Sequence, residues 1–385
     1  MKHFVIVFYL LFSLQLQSQE VEKSIIIKDA DTNKPIEDAT VSVLKTKQIN
    51  LSNAEGKVSF LIKGASNVQI THTSYKTLIL RSSQLKDSET VVFLKSNINK
   101  LDEIILTKQH PQKILINIIE NSIKKLTIPA RLKIYSREFF KLNGNYTYYN
   151  DGLMNFQLFG KPKNLTSNIL VEQNRAYGLY DDSVSEDLLG YNLNDLIENY
   201  YNFKYLLPLT ESRAKKEYDF LIKANSDNED YYVMVVTPLE NAKGLLDDFT
   251  ITYDKKKKII IEVIAEITPT TLAKVKDRSG KTVKNIYKSF FKALYRVETS
   301  NYYLVSSREE IGFERIFKNK STDIEVKNSF VTTNFSNQNY IYKDSEVFKG
   351  KSLLNKTNVI LNNYWEISGL IATDEEEQII KSLEE

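Results

Sequence analysis

Three side chains in this 385-residue sequence could act as imidazole bases or metal ligands: His3, His72 and His110. None has a second histidine or a carboxylate at metal-ligand spacing, and the patterns H-x-x-E and H-E-x-x-H are absent. A histidine-built metal site therefore lacks its parts. His72 reads as a strand residue and His110 as a helix-start residue. Cysteine is absent. That removes thiolate nucleophiles, cysteine-held iron–sulfur clusters, cysteine-ligated zinc and lipid attachment through an N-terminal cysteine. Carboxylates stand in adjacent pairs at Asp181-Asp182, Asp247-Asp248 and Glu309-Glu310. Two carboxylates converging across a cleft would suit glycoside hydrolysis, but adjacent acids in solvated loops or on strand rims are commoner. No G-x-S-x-G elbow and no phosphate-cradling G-x-x-x-x-G-K-[ST] occurs. Ser226 to Asp230 (SDNED) offers oxygen ligands for calcium without the EF-hand spacing or its glycine, and reads as a hairpin turn. We assign no catalytic, cofactor-binding or metal-ligating residue from the sequence and expect no cofactor.

The elements that would position such residues are mostly strands. Composition leans the same way, with 23 Tyr and 19 Phe against 1 Trp, since Tyr and Phe suit half-buried pleated surfaces. Pro111 to Leu126 is the clear exception. Leu115, Ile118, Ile119, Ser122 and Leu126 share one helical face, Pro111 opens the helix, and Lys124 and Lys125 lie at its negative end. Leu193, Leu196, Ile197, Tyr200 and Tyr201 mark a second, shorter amphipathic helix. Thr373-Asp374-Glu375-Glu376 is a capping box opening a C-terminal helix through Leu383. Trp365 is expected to anchor the tail against the sheet. Strands are expected at 135–141, 153–159, 169–172, 218–223, 231–237, 248–253, 259–267, 288–297, 302–309 and 323–333. Asp254 with Lys255 to Lys258 forms a polar hairpin tip, where lysines could also touch anionic headgroups.

The first hundred residues carry short β-type runs between turns. Ser24 to Lys28, Thr40 to Leu44, Lys57 to Ile62, Val68 to His72, Thr77 to Leu80 and Thr90 to Leu94 read as strands. Asp31 to Pro35 is a turn, and Asn53 to Gly56 reads as a hairpin turn whose glycine can take positive φ. About seven short strands with frequent turns read as a sandwich.

The series KDADTNKPIEDATVSV, SNAEGKVSFLI and ITHTSYKTLIL, followed by Val91-Val92-Phe93-Leu94, resembles the carboxypeptidase-like regulatory domain. That family is a transthyretin-like sandwich at the N-termini of exported Gram-negative proteins. The matching positions are Asp31, Pro35, Ala39, Val41, Gly56, Phe60 and Tyr75, with Leu101 to Leu106 resembling the strand that commonly follows. Asn33, Asn53 and Ser74 depart from the family's usual Gly, Asp and Gly. The resemblance covers about a fifth of the chain and implies a structural or interaction module without catalysis. Residues 218 to 267 run strand, turn, strand, connection, strand, turn, strand. That order resembles the curved sheet of LolA/LolB-type lipoprotein carriers, which implies an incomplete barrel around a helix and an apolar cavity.

Export is expected from the start of the chain. Met1-Lys2-His3 is followed by an apolar run from Phe4 to Leu16, too short to span a bilayer and of signal-peptide length. Cleavage is expected after Ser18. The net charge of +3, less Lys2, leaves about +2, too balanced for a nucleic-acid binder. The expected architecture is mostly β. A signal peptide (1–18) precedes a seven-stranded sandwich (19–96), a connector (97–110) and an α+β domain (111–385) with a larger curved antiparallel sheet and two or three helices. The expected role is binding or scaffolding in the periplasm or outer-membrane periphery, for an apolar or lipid-linked ligand or an outer-membrane protein. No transmembrane helix is expected in the mature chain. The alternative is an extracytoplasmic peptidase or glycosidase using a carboxylate pair. A membrane-embedded barrel is disfavoured by the lysine-rich turns and acidic helical C-terminus.

Overall fold

The computed structural model of the chain describes residues 20–96, 103–178, 192–226, 228–242, 246–267, 276–279, 282–354, 356–361 and 369–384. The expected signal peptide, Asp181-Asp182 and Trp365 lie outside these residues.

The N-terminal unit has seven strands, β1 (Glu20–Asp29), β2 (Thr40–Val43), β3 (Gln48–Leu51), β4 (Lys57–Lys63), β5 (Asn67–His72), β6 (Tyr75–Arg81) and β7 (Thr90–Leu94). They form two sheets, ordered β4-β1-β7 and β3-β2-β5-β6. Alternation packs Ile25, Ile27, Val41, Val43, Phe60, Ile62, Val68 and Ile70 between the sheets. Asn33 takes φ 58°, the conformation a glycine would otherwise supply, and Gly56 takes φ 74°. The expected hairpin at Asn53 to Gly56 is corrected. β3 pairs with β2 while β4 pairs with β1, so the turn arches between sheets. Asn53 Oδ1 holds that arch by accepting from the backbone N–H of Glu55 and of Lys57, both at 3.0 Å.

Five α-helices are described after the connector. The first, α1 (Pro111–Lys125), buries Leu115, Ile118, Ile119 and Ser122 as the periodicity requires. Then come β8 (Ala130–Leu142), β9 (Asn145–Lys161), β10 (Asn164–Gly178) and α2 (Leu193–Tyr201). The one-turn helices α3 (Leu207–Thr210) and α4 (Ala214–Glu217) lead into β11 (Tyr218–Ala224), β12 (Tyr231–Pro238), β13 (Asp248–Asp254) and β14 (Ile259–Glu266). β15 (Lys276–Ser279), β16 (Thr282–Glu298), β17 (Asn301–Phe317), β18 (Lys320–Ser336) and α5 (Asp374–Glu384) complete the described elements.

These strands make one curved, 11-stranded antiparallel sheet in the order β10-β9-β8-β18-β17-β16-β14-β13-β12-β11, with β15 beside β16. Its one junction between strands distant in sequence is β8 with β18. One face carries α1 and α2 over Leu132, Ile134, Phe156, Met234, Ile251, Val263 and Phe330. Ser122 seats α1 there. Its hydroxyl donates to Ile118 O at 2.8 Å and accepts from Ile260 N at 2.9 Å, beside the irregular register of β13 and β14.

The opposite, outer face carries the sandwich and α5. Ile49 and Leu51 of β3 leave the sandwich core and join the core of the large sheet. Ion pairs surround them: Lys292 bridges Asp38 (3.0 Å) and Glu262 (3.4 Å), and Arg308 meets Glu37 at 2.6 Å. Arg296 reaches Ser42 and, at 2.9 Å, Gln69. The tail stitches both units. Leu51 N donates to Gly369 O at 2.7 Å, and Asn53 Nδ2 donates to Ala372 O at 3.2 Å. The capping box forms as expected, with Glu376 N donating to Thr373 Oγ1 and Thr373 N donating to Glu376 Oε2, both at 3.1 Å.

Candidate functional site

The helix face of the sheet is not filled along its whole length. Where α2 crosses β16 and β17 it leaves an open groove of about 560 Å³. Leu196, Phe249, Phe291, Ile311, Phe313 and Val326 form its apolar surface. A rigid aromatic wall positions them. Tyr200 stacks on Phe291 at 5.8 Å, and Tyr205 lies 4.4 Å from the same ring. The Tyr205 and Tyr295 hydroxyls meet at 2.6 Å, and Tyr295 donates to Tyr200 O at 2.8 Å. Phe203, fully buried at the end of α2, is held at φ 50°. A left-handed aromatic is uncommon and survives only where its surroundings over-determine it.

The acidic pairs are separated by the strand itself. Side chains alternate between faces, so Glu309 points into the groove while Glu310 points away, to Lys288 at 2.8 Å and Arg308 at 2.8 Å. Those cations hold Glu310 below the usual carboxylate range against the opposing effect of burial. Burial raises Glu309, which accepts from the Tyr200 hydroxyl at 2.9 Å. Asp247, at the entry to β13, also lines the groove, and burial raises it too. Asp247 and Glu309 stand three strand steps apart, β13 to β17, or about 14 Å along the sheet.

Polar residues missed by sequence reasoning extend from Glu309 along one row of the sheet. Register places Glu309 beside Asn328, Asn328 beside Glu138, and Glu138 beside Asn150. Glu138 is 4% exposed, accepts from Asn150 Nδ2 at 2.8 Å and lies outside the groove lining. Asn328 is 5% exposed and reaches the groove. Isolated polar residues inside apolar alternation would have been the only signal for them.

A second buried constellation lies on the outer face. Asp151, 0% exposed, accepts from Tyr135 (2.8 Å), Tyr149 (2.5 Å) and Arg175 Nε (3.0 Å). Arg137 donates to Tyr135 and Leu370 O, and pairs with Glu376 of α5 at 3.2 Å. Each charge here has a partner, as a buried charge requires, and the network fastens α5 to the sheet.

The sequence-flagged histidines are tied locally. His110 caps α1, its Nδ1 accepting from Gln112 N at 3.2 Å. His72 Nδ1 accepts from Ser74 N at 3.0 Å and lines a polar cleft of about 610 Å³ between sandwich and sheet. Among the described residues, no three His, Cys, Asp or Glu gather as a metal site. The Ser226–Asp230 segment links the paired strands β11 and β12, and Lys255 to Lys258 form a turn in which Asp254 Oδ1 accepts from Lys256 N and Lys257 N. Among the described residues, no helix is long and apolar enough to cross a membrane.

Fold and site together define a mostly-β protein in which a sandwich backs a curved sheet that holds an apolar groove beside a helix. No family model matches the chain, and no curated protein matches it. Solved structures similar to parts of it include a DUF1329 family protein from Desulfovibrio piger, at 11% identity and TM-score 0.27, over 58% of this chain and 94% of that one. A LolA superfamily protein from Nitrosomonas europaea is similar at 9% identity and TM-score 0.22, over 60% and 98%. Lipovitellin, in a structure titled for lipid–protein interactions, is similar at 10% identity and TM-score 0.24, over 56% of this chain, which spans only 26% of lipovitellin. Likenesses this low assign neither ligand nor activity.

Proposed function

We propose that this chain is an exported, non-catalytic envelope protein that binds an apolar or lipid-linked ligand in the groove beside α2. The observation that carries this is the groove itself, an open apolar surface of Leu196, Phe249, Phe291, Ile311, Phe313 and Val326 held by a locked aromatic wall. Concave, mostly apolar sites with a few placed polar groups are where small ligands bind. In this reading residues 1–18 are removed on export. Residues 19–96 are a carboxypeptidase-regulatory-like module, residues 97–110 a connector, and residues 111–385 the ligand domain. The module is a scaffold that stiffens the outer face of the sheet and offers its own outer surface to an envelope partner.

The test uses the neutral fluorescent probe N-phenyl-1-naphthylamine with the mature protein. Saturable one-to-one binding is expected, weakened roughly thirtyfold in Phe291→Ala, where about 2 kcal/mol of apolar contact is lost. Absence of saturable binding overturns the reading.

A further inference from the structure

We infer that the ligand of this groove carries a cationic, hydrogen-bond-donating head, a primary ammonium on an apolar body. The inference rests on the groove being the ligand site.

It starts from what faces the groove. Three acids line it, Asp195, Asp247 and Glu309, against a single base, Lys204. Lys204 is already paired with Glu198 at 2.8 Å. Neighbouring acids have cations of their own: Glu310 has Lys288 and Arg308, Glu376 has Arg137 and Lys327, and Glu262 has Lys292. Among the described residues Glu309 has no cationic partner and holds only the Tyr200 hydroxyl. An acid kept in a low-dielectric wall without a counter-charge is costly as an anion, and an arriving ammonium would supply that charge.

Asn328 gives an independent indication. It is the next residue across the sheet from Glu309, is 5% exposed, and its Oδ1 has no hydrogen-bond partner. Asp247 Oδ1 is also without a partner. Buried polar atoms are nearly always paired, and each exception calls for a reason. Both orphans are acceptors, and so is the Glu309 oxygen that takes the Tyr200 hydroxyl. An ammonium brings three N–H donors and no acceptor. A carboxylate or phosphate head would bring only acceptors and would set a second negative charge beside Glu309. Phe249, Phe291, Ile311 and Phe313 then hold the chain attached to the head.

The experiment is displacement of N-phenyl-1-naphthylamine at pH 7.5 by decylamine, decanol and decanoate, each below its micellar concentration. Decylamine should bind roughly tenfold tighter than either of the others, as expected for charge-assisted bonds in a desolvated site. In Glu309→Gln and Asn328→Leu the ratio of decylamine to decanol affinity should fall to about one, whatever happens to probe affinity, with an unchanged circular-dichroism spectrum reporting an intact fold. If decanol or decanoate equals decylamine, the head inference fails and the groove reading stands. If none of the three displaces the probe, the groove reading itself fails.

Discussion

The Glu376 carboxylate closes the capping box of α5 and at the same time accepts from the buried guanidinium of Arg137, 3.2 Å away. One side chain thus starts the last helix and fastens it to β8. Burial alone would raise the Glu376 pKa, but Arg137, and after it Lys327, overcome that and hold it below its usual range. Glu376→Gln should destabilise the protein by about 3 kcal/mol at pH 7, because Arg137 is left buried without its counter-charge. A carboxylate with a lowered folded pKa contributes fully above its unfolded value, about 4.3, and the contribution is lost as pH falls through the folded value. The gap between wild type and variant in urea denaturation should therefore close below about pH 4. A gap unchanged from pH 7 to pH 3 would contradict the pairing.

His72 gives the second pH effect. Burial first, and then the neighbouring Lys292, push its pKa down to about 4 from 6.5, with Asp38 opposing. The folded protein keeps His72 neutral where the unfolded chain would bind a proton. Its contribution is whole above pH 6.5 and declines towards pH 4, by about 3 kcal/mol at most. His72→Asn, which keeps an acceptor for Ser74 N, should flatten stability against pH between 6.5 and 4. An NMR titration of His72 with a midpoint near 6.5 would refute the assignment.

Gly152 tests how the segment after β18 is held against β9. A Cβ at residue 152 would stand 2.6 Å from Leu353 Cδ1 and 3.1 Å from Gln173 O. Gly152→Ala should cost about 1 to 3 kcal/mol, as overpacking does. Leu353→Ala in the same background should recover part of that cost, since it clears the nearer clash. Strictly additive losses in a double-mutant cycle would show that Leu353 does not occupy that space.

Much of the fold was legible because alternation and periodicity are local. Leu115, Ile118 and Ile119 marked α1, and Leu196, Ile197 and Tyr200 marked α2, with every one of these residues buried. Strand ends were less legible. β16, β17 and β18 each run 17 residues, well beyond the expected segments, because polar residues continue the pleat past the apolar core. β3 went unread because Ile49 and Leu51 face the large sheet instead of the sandwich core. The pairing of β8 with β18 has no local sign at all. At the site, adjacent acids drew attention as pairs, yet a strand turns neighbours to opposite faces. Of the pair Glu309-Glu310 only Glu309 faces the groove, where Tyr200 of α2 donates to it and Asn328 of β18 stands beside it in register.

The stitching by the tail bears on the order of assembly. Asn53 and Ala372 are 319 positions apart, as are Asn50 and Gly369. Contacts this distant are made late, since long loops must close before they form. The sandwich can acquire its own strands early, but its final seat on the sheet waits for the last residues to be synthesised. Without those residues the sandwich would rest on the sheet through Ile49, Leu51 and the contacts of Lys292, Arg296 and Arg308.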